Sequence, residues 1–205
     1  LPRHIFGEIV APGTLLGPLR DEVAAIIGRS GIPVVATACH DTAAAVAGIP
    51  MDGAENLWLS SGTWSIMGVE SAEAITSPQA LEYGFCNELG VAGSVRFLKN
   101  IGGLWLIQEC KRQWELEGEK PSYAEMAELA NAAEAFTAFI DPDDVVFASP
   151  GDMPEKIRAF CQRTGQTVPD GKGQILRVAT ESLALKYRVV FDHITGRSSA
   201  GSAAE

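Results

Sequence analysis

Apolar positions recur along this chain in blocks, and the spacing within each block predicts a different element. Residues 1–18 carry Pro2, Gly7, Pro12, Gly13, Gly17 and Pro18, a density of chain breakers that predicts loop and turn. Leu19, Val23, Ile26 and Ile27 then share one face at helical spacing and predict a short helix ending near Ser30-Gly31. An apolar run from Ile32 to Ala38, bounded by Gly31 and the polar pair His40-Asp41, reads as a buried strand. A helix of small residues, Thr42 to Gly48, follows at once. Strand, polar turn and helix in that order form the layout in which α/β folds place ligand-binding groups, at the carboxyl end of a strand.

Residues 57–69 predict two strands around a tight Ser60-Ser61-Gly62-Thr63 turn. From Val95 to Leu116 the pattern is helical, with Leu98, Ile101, Leu104 and Trp105 as an apolar stripe. Ser122 and Glu125 have capping-box spacing and open a helix that runs to about Phe136. Val145 to Ala148 reads as a short buried strand. Asp152 and Glu155 repeat the capping-box spacing, with Gly165 as the stop. A last helix, from about Gln174 to Thr195, carries Ile175, Val178, Leu185 and Val189. The Ser/Ala/Gly tail from Arg197 has nothing to bury and is expected to be disordered. Mixed strands and helices without an internal repeat make the fold class α/β.

Composition narrows the functions. Sixteen basic against 26 acidic side chains give a formal net charge of −10 over 205 residues. That balance excludes an extended nucleic-acid surface and docking on anionic lipid, both of which need clustered Lys and Arg. No apolar run approaches the ~18 residues of a membrane span, and the first residues lack the basic-then-apolar layout of a signal peptide. Cys39, Cys86, Cys110 and Cys161 are scattered without a C-x-x-C pair, which suits a reducing cytoplasm better than a disulfide framework or a zinc site. A cytoplasmic protein is expected.

Three places carry candidate chemistry. At His40-Asp41-Thr42 a carboxylate at a strand end could take the proton of a substrate hydroxyl; Asp41 equally suits a helix N-cap. The Ser60–Thr63 turn could offer hydroxyl and N–H donors to phosphate oxygens, or be an ordinary hairpin turn. Asn100 and Gln108, eight residues apart on the expected helix, would be separated by roughly 12 Å and about 80° and could touch two ligands along a cleft; a solvated polar face explains them as well. His4 and His193 lack acidic or thiol partners at ligand spacing, so no metal site is expected. The four Trp residues sit in apolar patterns and read as core. Neither a G-x-x-x-x-G-K-[ST] loop, nor G-x-G-x-x-G, nor a G-x-S-x-G elbow occurs.

Taken together, three stretches resemble the FGGY carbohydrate kinases: Ala38-Cys39-His40-Asp41-Thr42-Ala43-Ala44-Ala45-Val46-Ala47, Leu59-Ser60-Ser61-Gly62-Thr63-Trp64-Ser65-Ile66-Met67-Gly68, and Phe97-Leu98-Lys99-Asn100-Ile101-Gly102-Gly103-Leu104-Trp105. The resemblance implies the two-lobed actin, Hsp70 and hexokinase fold (ribonuclease H-like), with sugar and ATP in the cleft between lobes. It also implies ATP-dependent phosphorylation of a sugar hydroxyl. L-rhamnulose, converted to L-rhamnulose 1-phosphate, is the expected substrate; another ketose or polyol, or a non-catalytic actin-like module, is the alternative. By residue, it makes Asp41 the proton acceptor, His40, Asp41, Thr42 and Asn100 sugar contacts, and Gly62, Thr63 and Gln108 ATP contacts, with Mg²⁺ carried by ATP. Residues 1–48 would end the sugar-binding lobe and 49–196 begin the nucleotide-binding lobe. The family's first phosphate loop and its Gly-rich adenosine segment have no counterpart here. The chain by itself is therefore expected to be a weak or inactive kinase that could self-associate through an exposed lobe interface.

Overall fold

The computed structural model describes residues 2–51 and 56–196; the tail expected to be disordered lies outside them. The elements run β1 (Leu15–Pro18), α1 (Asp21–Ile27), β2 (Pro33–Val35), α2 (Asp41–Ala47), β3 (Leu57–Ser61), β4 (Trp64–Ser71), α3 (Pro78–Glu82), β5 (Cys86–Leu89), β6 (Val95–Gly102), α4 (Trp105–Leu116), α5 (Tyr123–Ala132), α6 (Met153–Arg163) and α7 (Gly171–Ile194). Strands β3-β4-β6-β5, in that order, form one sheet, and β1 and β2 form a separate two-stranded ribbon. None of the described helices is long and apolar enough to cross a membrane. The chain divides into two compact units, one of residues 1–58, 69–81 and 86–97, the other of residues 59–68, 82–85 and 98 onward.

In the first unit the ribbon departs from the sequence expectation. Residues 1–18 were expected to be loop, yet Leu15–Pro18 pairs antiparallel with Pro33–Val35. A register irregularity between Leu15 and Gly17 accommodates the Gly and Pro residues, and Gly17 takes φ +131°, a conformation L side chains rarely adopt. β2 is shorter than the apolar run and is not buried, because a two-stranded ribbon leaves Pro33 and Val35 at the surface. The helix α1 forms as expected and is closed by Gly28 in the left-handed conformation. Its buried residue is Ala24, whereas Ile26 is 85% exposed, so the large apolar side chains are not the ones packed. In α2, Ala43 and Val46 are the buried positions.

The second unit holds the helical core. Leu106, Cys110 and Trp114 of α4 pack with Met126 of α5, Ile157 and Cys161 of α6, and Ile175 and Val178 of α7. The long helix α7 lies against α5 closely enough that a Cβ on Gly173 would come within 2.6 Å of the Leu129 carbonyl oxygen. Both halves of the Ser122–Glu125 capping box are present, but the helix ends at Ala132 rather than Phe136. At α6 the Asp152 side chain accepts from the Glu155 N–H.

Two expectations in this region fail. The helix expected over Val95–Leu116 is a strand, β6, followed by a helix, α4, with Gly103 and Leu104 between them. Leu98 and Ile101 are buried as the apolar stripe required. The Gly102-Gly103 pair sits at the junction, where a Cβ on either residue would strike backbone, Pro142 at 2.3 Å or Gly62 at 2.6 Å. The strand expected over Val145–Ala148 is a single 3₁₀ turn, Val145–Phe147, because the Asp144 side chain accepts from the Val146 N–H and draws the chain into a turn. Of the four Trp residues, Trp58 and Trp114 are core, Trp105 is half-buried, and Trp64 is 56% exposed.

Candidate functional site

In the first unit, His40, Asp41 and Thr42 stand where β2 leads into α2. His40, not Asp41, is the N-cap, with extended backbone and no side-chain capping bond, so the N-cap expectation for Asp41 fails. Asp41 is the first helical residue, and its side chain is 97% exposed. One carboxylate oxygen, Oδ1, accepts from the Thr42 N–H at 2.6 Å and lies 3.5 Å from His40 Nδ1. The carboxylate is thus oriented by its neighbours while its face stays open to solvent, the condition for accepting a proton from a bound hydroxyl. A cavity of about 530 Å³ lies in the same unit, with Val46, Ile49, Glu70 and Ser94 among its lining; none of the sequence-predicted site residues belongs to it.

In the second unit, β3 and β4 are joined by Gly62 and Thr63 alone, with Ser60 and Ser61 inside β3. The turn is held against the start of α4. Leu104 N–H donates to the Gly62 carbonyl and Trp105 N–H to the Thr63 carbonyl, both at 2.9 Å. These are among the N–H groups that a helix start cannot satisfy internally. The bonds engage both carbonyl oxygens with the start of α4, and Thr63 remains exposed. Gln108 lies one turn further along α4, half-buried, its N–H donating to the Leu104 carbonyl. Gly62, Thr63 and Gln108 therefore share one local framework.

Asn100 is exposed on β6 rather than on the helix with Gln108. Its neighbours are tied down. Lys99 Nζ donates to the Tyr83 carbonyl, Ile101 is fully buried, and Gly102 N–H donates to Asp143 Oδ1 at 2.8 Å. Asp143 and Asp141 both pair with Lys186, at 3.0 and 2.8 Å. Burial works to raise the Asp141 carboxyl, but the Lys186 ammonium and the Asp143 N–H outweigh it and hold it below its ordinary value. Burial likewise works to lower Lys186, and its two carboxylate partners outweigh that and raise it. Next to Gln108, Glu109 is buried and lowered by its bonds from Arg112. It is a structural ion pair rather than a ligand-facing group. No group of three or more His, Cys, Asp or Glu side chains that could hold a metal ion is found among the described residues.

Residues 57–202 match the FGGY family of carbohydrate kinases, C-terminal domain. The chain belongs to this family. Among its FGGY relatives, the rhamnulokinase of Bacteroides thetaiotaomicron is 45% identical over 198 residues, which is 97% of this chain and 40% of the relative. The rhamnulokinase of Enterococcus faecalis is 39% identical over 190 residues, covering 93% of this chain and 38% of the relative. That of Pectobacterium carotovorum subsp. carotovorum is 42% identical over 190 residues, covering 93% and 36%. The chain thus spans about 40% of the length of the curated relatives it matches. In structure it is similar to the xylulose kinase of Rhodospirillum rubrum, with TM-score 0.58 and 20% identity over 92% of this chain and 37% of that one. The fold is the α/β, actin-like fold of the FGGY kinases.

The sequence reading missed Ser65 and Tyr187. The Tyr187 hydroxyl on α7 lies 2.5 Å from Ser65 Oγ and 3.2 Å from Ser61 Oγ, on either side of the turn. Their separation of 122 and 126 positions leaves no local signal. The Gly102-Gly103 pair, which could have been read as a close approach of backbones, was the one available hint.

Proposed function

We propose that this chain carries sugar- and nucleotide-binding groups of an ATP-dependent sugar kinase that converts L-rhamnulose to L-rhamnulose 1-phosphate. The observation that carries the reading is the 45% identity to a rhamnulokinase over 97% of the chain. The side-chain chemistry supports it. Phosphoryl transfer asks for positioning and charge stabilisation rather than a covalent intermediate. Asp41 accepts the proton of the sugar hydroxyl as that oxygen bonds to the γ-phosphorus and the bond to ADP breaks. The exposure of its carboxylate and the anchoring of Oδ1 by Thr42 suit that task. His40, Thr42 and Asn100 hold the sugar, Gly62 and Thr63 meet the phosphates, and Gln108 contacts the nucleotide. Mg²⁺ enters with ATP as part of the substrate, and the reaction belongs in the cytoplasm, where ATP is supplied.

The test sets this chain into the matching stretch of the Bacteroides thetaiotaomicron rhamnulokinase and measures ADP release with L-rhamnulose, D-xylulose and glycerol. The highest kcat/KM is expected with L-rhamnulose. Faster turnover of D-xylulose or glycerol assigns the chain to a sister kinase. Sugar binding without any turnover favours a non-catalytic module.

A further inference from the structure

We propose that Tyr187 is the positioning residue of the Gly62-Thr63 turn, its hydroxyl holding both arms of the β3–β4 hairpin so that the turn meets the phosphates of ATP already formed. The inference rests on the nucleotide reading of that turn given above.

Ser61 ends β3 and Ser65 is the second residue of β4, so the two serines flank the hairpin tip. The Tyr187 hydroxyl is within hydrogen-bond distance of both. A phenol can donate to one hydroxyl and accept from the other, so a single atom ties both arms. Ser65 is wholly buried, so its Oγ relies on a protein partner, and the Tyr187 hydroxyl is one. On its other side, Ser65 is closed off by Gly103, where an added Cβ would lie 2.7 Å from both the Ser65 nitrogen and Oγ. The hairpin is thus gripped between α4, through the Leu104 and Trp105 N–H groups, and α7, through Tyr187. Helix α7 is itself anchored by buried Val178, Ala179, Ser182 and Val190. A turn ordered in advance loses less freedom when it takes up a ligand, and that gain falls on the ligand touching the turn and on no other.

The test uses Tyr187→Phe in the 205-residue chain, which keeps the ring and removes the hydroxyl, with Ser65→Ala as a second variant. Amide hydrogen exchange is followed by NMR, and the magnesium complex of AMPPNP and L-rhamnulose are titrated separately. Exchange at Gly62, Leu104 and Trp105 should rise about five- to tenfold while amides of α5 keep their rates. The apparent Kd for the nucleotide should rise by a similar factor, and that for the sugar should stay constant. Unchanged exchange and unchanged nucleotide affinity overturn the proposal. So does a parallel loss of both affinities with faster exchange in α5, which marks a general prop. If the wild-type Gly62 and Thr63 resonances do not respond to the nucleotide, the proposal falls with the nucleotide reading beneath it. The exchange rates then report separately whether Tyr187 holds the turn.

Discussion

The Trp105 N–H donates to the Thr63 carbonyl at 2.9 Å, joining the first residue of α4 to the second residue of the β3–β4 turn. The neighbouring bond from Leu104 to Gly62 has the same length, so turn and helix start act as one body. A change that forces the two apart should therefore register in the turn and in global stability together.

Gly103→Ala is such a change. The new methyl would meet the Gly62 carbonyl oxygen at 2.6 Å and the Ser65 nitrogen at 2.7 Å, both backbone atoms that cannot rotate away. Overpacking of this kind costs about 1–3 kcal/mol. The variant should unfold at lower urea with an unchanged m-value, and its Gly62 and Thr63 amide resonances should shift. A midpoint equal to wild type would show that the hairpin tip is free to back away from Gly103.

Leu106→Ala probes the helical core of the same unit. Leu106 is almost wholly buried among Cys110, Trp114 and their neighbours, so truncation leaves a cavity. The expected loss is about 2–5 kcal/mol, read from denaturant unfolding followed by tryptophan fluorescence. A loss below the cost of a single methylene would mean that the site collapses around the gap.

Thiol reactivity should separate the cysteines by burial. Burial pushes the Cys110 thiol up to about 12, with the Glu109 charge adding to it, and burial raises Cys161 as well. Cys39 is exposed beside His40. Quenched labelling with a maleimide, read by peptide mass spectrometry, should modify Cys39 first and leave Cys110 and Cys161 untouched until the chain unfolds. Labelled chain should also bind L-rhamnulose more weakly, because the adduct sits next to the proposed sugar contacts. Native-state labelling of Cys110 at the rate of Cys39 would contradict the packing.

Stability should fall on the acid side in two stages. His193 is lowered by burial first and then by the charges of Lys99 and Lys186. A lowered pKa gives stability that is complete above the ordinary value of about 6.5 and is lost as pH falls through the folded-state value. Asp141, also lowered, adds a second loss below about 3.9, whereas the raised Lys186 loses its contribution only as pH climbs past about 10.4. His193→Phe, which keeps a ring stacked on Tyr83, should flatten the thermal midpoint between pH 7 and 5 and leave the lower fall in place. An unchanged slope in that window would remove His193 as its source.

Asp41→Asn keeps the side-chain shape and the bond from Thr42 but cannot take a proton. Set in the rhamnulokinase framework described above, it should lower kcat by about 10²- to 10⁴-fold with little change in sugar affinity. Wild-type turnover would remove Asp41 from the reaction.

What could be read from the sequence was local. The Ser122–Glu125 box and the position of the Gly62-Thr63 turn depend on residues a few positions apart, whereas α1 closes at Gly28 rather than near Ser30-Gly31. The stretch from Val95 to Leu116 was misread because Leu98 and Ile101 suit an apolar helix face and a buried strand alike. Hydrogen bonding to the more distant β4, as well as to the adjacent β5, decides between them. The large apolar residues of α1 were misjudged for a related reason, since periodicity marks a face without saying what covers it. Within the candidate site, motif residues such as Asp41, Thr63 and Asn100 stood out, while Tyr187 and Ser65 did not. Tyr187 belongs to no motif, Ser65 is one unremarked residue of the Leu59–Gly68 stretch, and they meet only because α7 folds back onto the hairpin.

Helix α7 also limits how this sequence can drift in length. Gly173 is wedged on the Leu129 carbonyl, and Tyr187, fourteen positions on, reaches the hairpin about 21 Å further along the axis. Inserting a single residue between them would swing the phenol by about 100° and carry it 1.5 Å past the serines. Homologues that keep both contacts must therefore place their insertions and deletions outside this span of helix, which acts as a fixed gauge.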